Sequence, residues 1–193
     1  GTAITDCSVV AVTEGQCIAQ ETCDDLLVIQ AIIDANGSMT EEDAYNLAEW
    51  SDDGRATQLT LSDNGITSLP DGIGSLEKLE HLYLAGNNIS TLPTTIFDLS
   101  NLINLNLEGN PLSTLPSQIA SLSSLEDLRL VSTGLTELPN LTGLNKLEKL
   151  RVNDNSLISL HSSITSLSSL NYLDVTGNNL TELPSGLCDM TGL

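Results

Sequence analysis

From residue 57 onward, apolar positions return with a fixed period. Leucines open successive units at Leu59, Leu82, Leu105, Leu128, Leu150 and Leu173, and every spacing is 23 residues except the 22 from Leu128 to Leu150. The second unit reads LYLAGNNISTLPTTIFDLSNLIN, and the general form is L-x-[LV]-x-x-N-x-[LI]-x-x-L-P, then an aliphatic position and two more apolar ones. In LYL, Leu82 and Leu84 alternate with Tyr83, which is the period of a strand. One such strand cannot bury its apolar side alone. Six stacked in parallel, roughly 4.8 Å apart, make a sheet roughly 24 Å across with a continuous leucine core behind it.

The other columns supply the turns. Asn64, Asn87, Asn110, Asn155 and Asn178 occupy one column, broken by Thr133. An inward Asn at a tight bend bonds backbone groups that the turn leaves unpaired, and stacked copies form a structural ladder. Thr133 has a shorter reach and only a hydroxyl. Pro70, Pro93, Pro116, Pro139 and Pro184 favour an extended entry to the far side, with His161 standing where that column wants Pro. The residue missing from the fourth unit falls here: Leu141 follows Leu138 by three, whereas Ile96 follows Leu92 by four. These far-side segments are too short and too rich in Ser and Thr for long helices, which predicts 3₁₀ or irregular turns.

The six copies resemble the leucine-rich repeat family, in its 23-residue class carrying LPxxIxxLxxL. The resemblance implies an α/β fold: a right-handed horseshoe solenoid with a parallel sheet on its concave face and an N-terminal helical cap. It also implies non-catalytic recognition of a protein, peptide or glycan on that face. Six repeats are expected over 58–193, with 1–57 as the cap.

Residues 1–57 do not fit the repeat. TCDDLLVIQAIIDANG reads as an amphipathic helix starting at Thr22 or Asp24 and stopping at Gly37. TEEDAYNLAEW reads as a second helix with Thr40 as its N-cap and Asp43 in the first turn. Trp50 and GRATQLTL then lead into the first repeat, a passage that resembles the cap of plant-type receptor repeats but lacks the paired Cys between that Trp and the first strand. DANGSMTEED has the composition of a calcium loop, but its acidic residues and Gly37 are wrongly spaced. Leu193 fills the last apolar column, and no C-terminal cap is visible. A bare leucine edge there predicts that the native chain continues or that something packs on it, self-association included.

Composition narrows the partners. The net charge is −20, which argues against nucleic acid and anionic membrane, since both require basic surface. No run of about 18 apolar residues is present to span a membrane. Cys7, Cys17 and Cys23 cluster ahead of the repeats, far from Cys188. That grouping predicts one disulfide among the first three, hence an oxidising compartment and a secreted or cell-surface protein, extracellular or periplasmic. Cys188 is then free, or bonded to something outside this chain. Asn-x-Ser/Thr triplets stand at Asn36, Asn88, Asn140 and Asn179, a weak signal in a chain this rich in those residues.

Strand periodicity places three columns on the inner wall. The first is Gln58, His81, Asn104, Asp127, Lys149 and Tyr172; the second is Thr60, Tyr83, Asn106, Arg129, Arg151 and Asp174; the third is Ser62, Ala85, Glu108, Val131, Asn153 and Thr176. Four of the six basic residues, Arg129, Lys146, Lys149 and Arg151, thus gather at the fourth and fifth units. Aromatic residues and Arg are enriched at binding hot spots, so His81, Tyr83, Asn106, Asp127, Arg129, Lys149, Arg151, Tyr172 and Asp174 are the candidate ligand-binding residues. The alternative is local pairing, with Asp127 neutralising Arg129 or Lys149.

Nothing points to catalysis. The two histidines, His81 and His161, are predicted on different sides, and no Ser–His–acid set, metal-spaced cluster or Gly-rich phosphate loop occurs. No metal or cofactor is implied. Besides recognition, the pattern allows a structural or adhesive spacer, or the recognition part of a larger receptor or enzyme.

Overall fold

The computed structural model describes residues 20–37 and 43–193. Within them the chain forms a seven-stranded sheet in sequential order: β1 (Ala48–Trp50), β2 (Ala56–Thr60), β3 (His81–Tyr83), β4 (Asn104–Asn106), β5 (Asp127–Arg129), β6 (Lys149–Arg151) and β7 (Tyr172–Asp174). β2 to β7 run parallel, with Leu59, Leu82, Leu105, Leu128, Leu150 and Leu173 directly abreast. This is the solenoid of stacked parallel strands that the 23-residue period predicts. The first five of those leucines are at most 1% exposed. Their partners two residues on, such as Leu61, Leu84, Leu107 and Leu130, are fully buried as well. Burying a Leu side chain is worth about 1.5–3 kcal/mol, so each coil gains chiefly by covering its neighbour.

The far-side segments are 3₁₀ turns at Asp71–Ser75, Thr94–Asp98, Ser117–Ser121 and Ser162–Ser166. Pro70, Pro93 and Pro116 precede the first three with φ of −71°, −64° and −61°. His161 precedes the fourth at −62° without a ring to hold it there, and its Nδ1 accepts a hydrogen bond from Ser163 N at 3.1 Å. An imidazole cap thus replaces a pyrrolidine constraint. The 22-residue unit has no 3₁₀ turn between Pro139 and Leu147. Its Gly143 passes so close to the preceding coil that an added Cβ would lie 1.9 Å from the Ala120 carbonyl oxygen.

The Asn ladder forms with one interruption. Asn87 Oδ1 accepts from Asn64 N and Ile66 N at 3.1 and 2.9 Å, while its Nδ2 donates to Leu61 O and Leu84 O at 2.8 Å each. Asn110, Asn155 and Asn178 repeat this reach back to the previous coil. Asn64 stands apart: it is half-buried, and its Nδ2 donates to Ser62 O in its own turn. At the break, the Thr133 hydroxyl bonds Leu130 O and Asn155 Oδ1, both ahead of the preceding coil. Leu112 N, which an Asn at 133 would satisfy, bonds Asn110 O instead at 2.8 Å.

At the N-terminal end, α1 (Gln20–Asn36) buries Leu26, Ile29, Ile32 and Ile33 against the first coil. Gly37 ends it at φ +63°, with its N–H bonded to Ile33 O, an exit that suits a residue without Cβ. Asp25, 1% exposed, receives Arg55 Nε and a terminal guanidinium nitrogen at 3.0 Å each, and Ala56 N at 2.8 Å. The second helix expected from TEEDAYNLAEW is corrected by the structure. Among its described residues only α2 (Asp43–Asn46) is helical, and Ala48–Trp50 is strand β1, antiparallel to β2. The physical reason is the open edge of the sheet. Extended backbone there pairs with β2, Thr60 N donating to Leu47 O at 2.8 Å and Ser51 N to Arg55 O at 2.9 Å. Thr40 lies outside the described residues. So do Cys7, Cys17 and the side chain of Cys23, and with them the expected disulfide; Cys188 is a free, exposed thiol.

Candidate functional site on the concave face

In-register pairing brings the three inward columns together. Gln58, His81, Asn104, Asp127, Lys149 and Tyr172 stand side by side, and so do Thr60, Tyr83, Asn106, Arg129, Arg151 and Asp174. Because a strand alternates its side chains, the residues flanking each buried leucine must face the other way. His81, Tyr83, Arg129 and Arg151 are accordingly half-buried and Lys149 and Tyr172 exposed. All nine candidate residues lie on this wall, and His161 lies on the far side.

The wall has two chemically different halves. Over β3 and β4 it carries amides and rings. Asn104 Nδ2 lies 2.7 Å from His81 Nδ1, and the His81 and Tyr83 rings are parallel to within 4° with centroids 6.4 Å apart. Asn106 Oδ1 accepts from Glu108 N at 3.0 Å, which fixes the amide with its nitrogen outward. Over β5 to β7 it carries charge. Asp127, only 7% exposed, accepts from Arg129 at 3.0 Å and from Arg151 on the next strand at 2.6 Å. Arg151 in turn lies 4.9 Å from the centre of the Tyr172 ring. Asp174 Oδ1 accepts from Thr176 N and Oγ1 at 3.0 and 2.7 Å.

This geometry explains why Arg129 and Arg151 stand together. A nearly buried carboxylate requires a counter-charge, and Asp127 has two. The hydrogen bond to Asp127 raises Arg129 above the ordinary arginine value, with nearby Tyr83 and Glu108 adding smaller effects. Arg55 is raised in the same way by Asp25. Three of the six basic side chains therefore serve carboxylates of the chain itself. Lys149 stands beside this cluster on the wall. The alternative reading of local pairing is the one the structure bears out for Arg129, with Arg151 rather than Lys149 as the second cation.

One inward residue was missed from sequence. Glu49 reaches Gln58 Nε2 at 2.7 Å and extends the first column onto β1. The signal was present in Ala48 and Trp50 alternating about Glu49, masked by the helical reading of that stretch. Among the described residues, no group of three or more His, Cys, Asp or Glu side chains is placed to hold a metal ion. None of their helices is long and apolar enough to cross a membrane.

With a solenoid of stacked leucine strands and a polar inner wall, the class is that of repeat proteins acting through a curved sheet. A model of the leucine-rich repeat region matches residues 56–156, and a single leucine-rich repeat matches residues 169–190. The chain belongs to the leucine-rich repeat family. No curated protein sequence matches it. Among solved structures, it is similar to a leucine-rich repeat protein of Leptospira interrogans, at 32% identity and TM-score 0.70 over 73% of this chain and 36% of that one. It is also similar to the ectodomain of the receptor kinase SOBIR1 from Arabidopsis thaliana, at 27% identity and TM-score 0.70 over 87% and 98%. A third is the plant peptide hormone receptor RGFR1, solved in complex with RGF2, at 32% identity and TM-score 0.65 over 71% and 23%. The chain thus spans about a third of the length of the Leptospira protein. Domains of this family and fold are generally non-catalytic recognition modules.

Proposed function

We propose that this chain is a non-catalytic recognition module of a secreted or surface-attached protein, binding a protein or peptide along its concave wall. Residues 58–193 form the recognition array and residues 1–57 its cap. The observation that carries the reading is the in-register alignment of Tyr83, Arg129 and Arg151 in one column, with His81, Lys149 and Tyr172 in the next. Aromatic and cationic groups share a surface with donors already oriented by neighbours, so little side-chain entropy is lost on binding. The peptide hormone receptor among the similar structures supports a peptide as one form of the ligand.

The test must avoid Arg129 and Arg151, because both hold Asp127 and their loss would disturb folding. Peptides selected from a display library on the wild-type chain should lose at least about tenfold in affinity for the variant Tyr83→Ser, Lys149→Glu, Tyr172→Ser, a change of about 1.4 kcal/mol. A control variant outside the three inward columns, Lys78→Glu, should bind as wild type. Selected peptides that ignore the concave variant, or respond equally to the control, would sink the reading.

A further inference from the structure

The fold treats the four Asn-x-Ser/Thr triplets differently. The Asn36 amide is fully engaged. Its Nδ2 donates to Ile32 O and Ser68 O at 2.7 and 3.0 Å, and its Oδ1 accepts from Thr67 N, Thr67 Oγ1 and Ser68 N at 2.8, 3.1 and 3.2 Å. That side chain pins the end of α1 to the loop after β2. A substituent on its nitrogen would displace the helix from the first coil.

Asn88 and Asn179 are in the opposite situation. They occupy the same column, one residue past the ladder residues Asn87 and Asn178, and stand on the same edge of the solenoid about four strand spacings, or roughly 19 Å, apart. Both are exposed, as are the hydroxyl residues Ser90 and Thr181 two positions on. Their backbone amides are bonded to Ile66 O and Leu157 O at 2.7 and 2.9 Å, which fixes the loop, while their side-chain amides make no hydrogen bond to any described residue. Asn140 is exposed on the far side of the fourth unit. Its Oδ1 accepts from Thr142 N and Oγ1 at 2.9 and 2.6 Å, leaving Nδ2, the atom that would carry a sugar, outward.

We propose that Asn88, Asn140 and Asn179 are acceptor sites for N-linked glycans and that Asn36 is not. The donor is an oligosaccharide joined through diphosphate to a lipid. The Asn Nδ2 forms a bond to the first sugar's C1, the C1–O bond to diphosphate breaks, the lipid diphosphate leaves with that electron pair, and the amide nitrogen loses one proton. The inference rests on the secretory route proposed above. It deepens that reading, because no acceptor lies in the three inward columns: glycans would cover one edge and the far side and leave the recognition wall bare.

The chain is secreted from yeast, digested with an amidase that hydrolyses the glycan-bearing side-chain amide and so converts occupied Asn to Asp, and mapped by peptide mass spectrometry. Asn88, Asn140 and Asn179 are converted and Asn36 is not. N88Q, N140Q and N179Q each remove one glycan from the intact mass without changing the circular dichroism spectrum. A folded, secreted protein glycosylated at Asn36, or one with Asn88 and Asn179 both bare, overturns the assignment. Because secretion is imposed, a bare protein counts against the sites and not against the proposed location. Bare protein from the native source beside glycosylated protein from yeast removes the glycosylating route in that source and keeps the sites.

Discussion

The carboxylate of Asp127 lies 2.6 Å from the guanidinium of Arg151 across two neighbouring strands, while Arg129 on its own strand holds the other oxygen at 3.0 Å. The Arg side chains are 41% and 26% exposed and that of Asp127 is 10% exposed, so solvent weakens each pair but reaches the carboxylate poorly. Arg129→Ala and Arg151→Ala should each cost about 1 kcal/mol, since a second cation remains. The double variant strands a nearly buried charge and should exceed the sum of the singles by about 1–2 kcal/mol. Urea unfolding of all four proteins measures the difference; strict additivity would show that Asp127 does not depend on the pair.

The ladder gives a graded test. Asn87→Ala leaves Leu61 O, Leu84 O, Asn64 N and Ile66 N without their side-chain partner in a site that is 3% exposed. At about 1–3 kcal/mol for an unsatisfied buried group, the loss should be at least 3 kcal/mol. Asn64→Ala, in a half-buried turn with solvent at hand, should cost about 1 kcal/mol. Equal effects in chemical denaturation would contradict the ladder as the source of the difference.

Among the described residues, one ion pair ties α1 to the first coil. Asp25→Ala removes two bonds from Arg55 and one from Ala56 N in a site sealed by α1. Loss of one partner from such a pair costs about 3–5 kcal/mol. Hydrogen exchange should show the amides of α1 and β2 losing protection first, with those of β5 and β6 retained. Uniform loss along the array would mean that the pair does not act as a local fastener.

Gly143 tests packing between coils. Its Cα faces the Ala120 carbonyl with no room for a methyl group, and the obstruction is backbone. Gly143→Ala should destabilise by about 1–3 kcal/mol even though alanine lowers the entropy of the unfolded chain. A neutral or stabilising result in thermal melts would show that the fourth coil shifts freely.

Most of the architecture was legible in sequence because the leucine columns admit one solution. A strand with Leu82 and Leu84 on one side must be covered by its neighbours, and the 23-residue spacing leaves little choice of register. The short fourth unit shows in the leucine spacing, but that its coil lacks a 3₁₀ turn does not. What escaped was decided between segments distant in sequence. LAEW is as good a helix end as a strand, and only the open edge of β2 selects the strand. The pairing of Arg151 with Asp127 spans 24 positions, and local spacing could not rank it above Lys149. Likewise Asn36 looks like any other Asn-x-Ser until α1 is laid on the first coil.

Thr133 has a consequence for how the array comes apart. Among the described residues, the join between the third and fourth coils is the one that no ladder side chain crosses, though the strand bonds there are intact. Under load or partial denaturation, that joint is where the horseshoe should part, into an N-terminal piece holding the His81–Tyr83 rings and a C-terminal piece holding the Asp127 cluster. The two chemically distinct halves of the inner wall are therefore also two mechanical segments, hinged at a threonine.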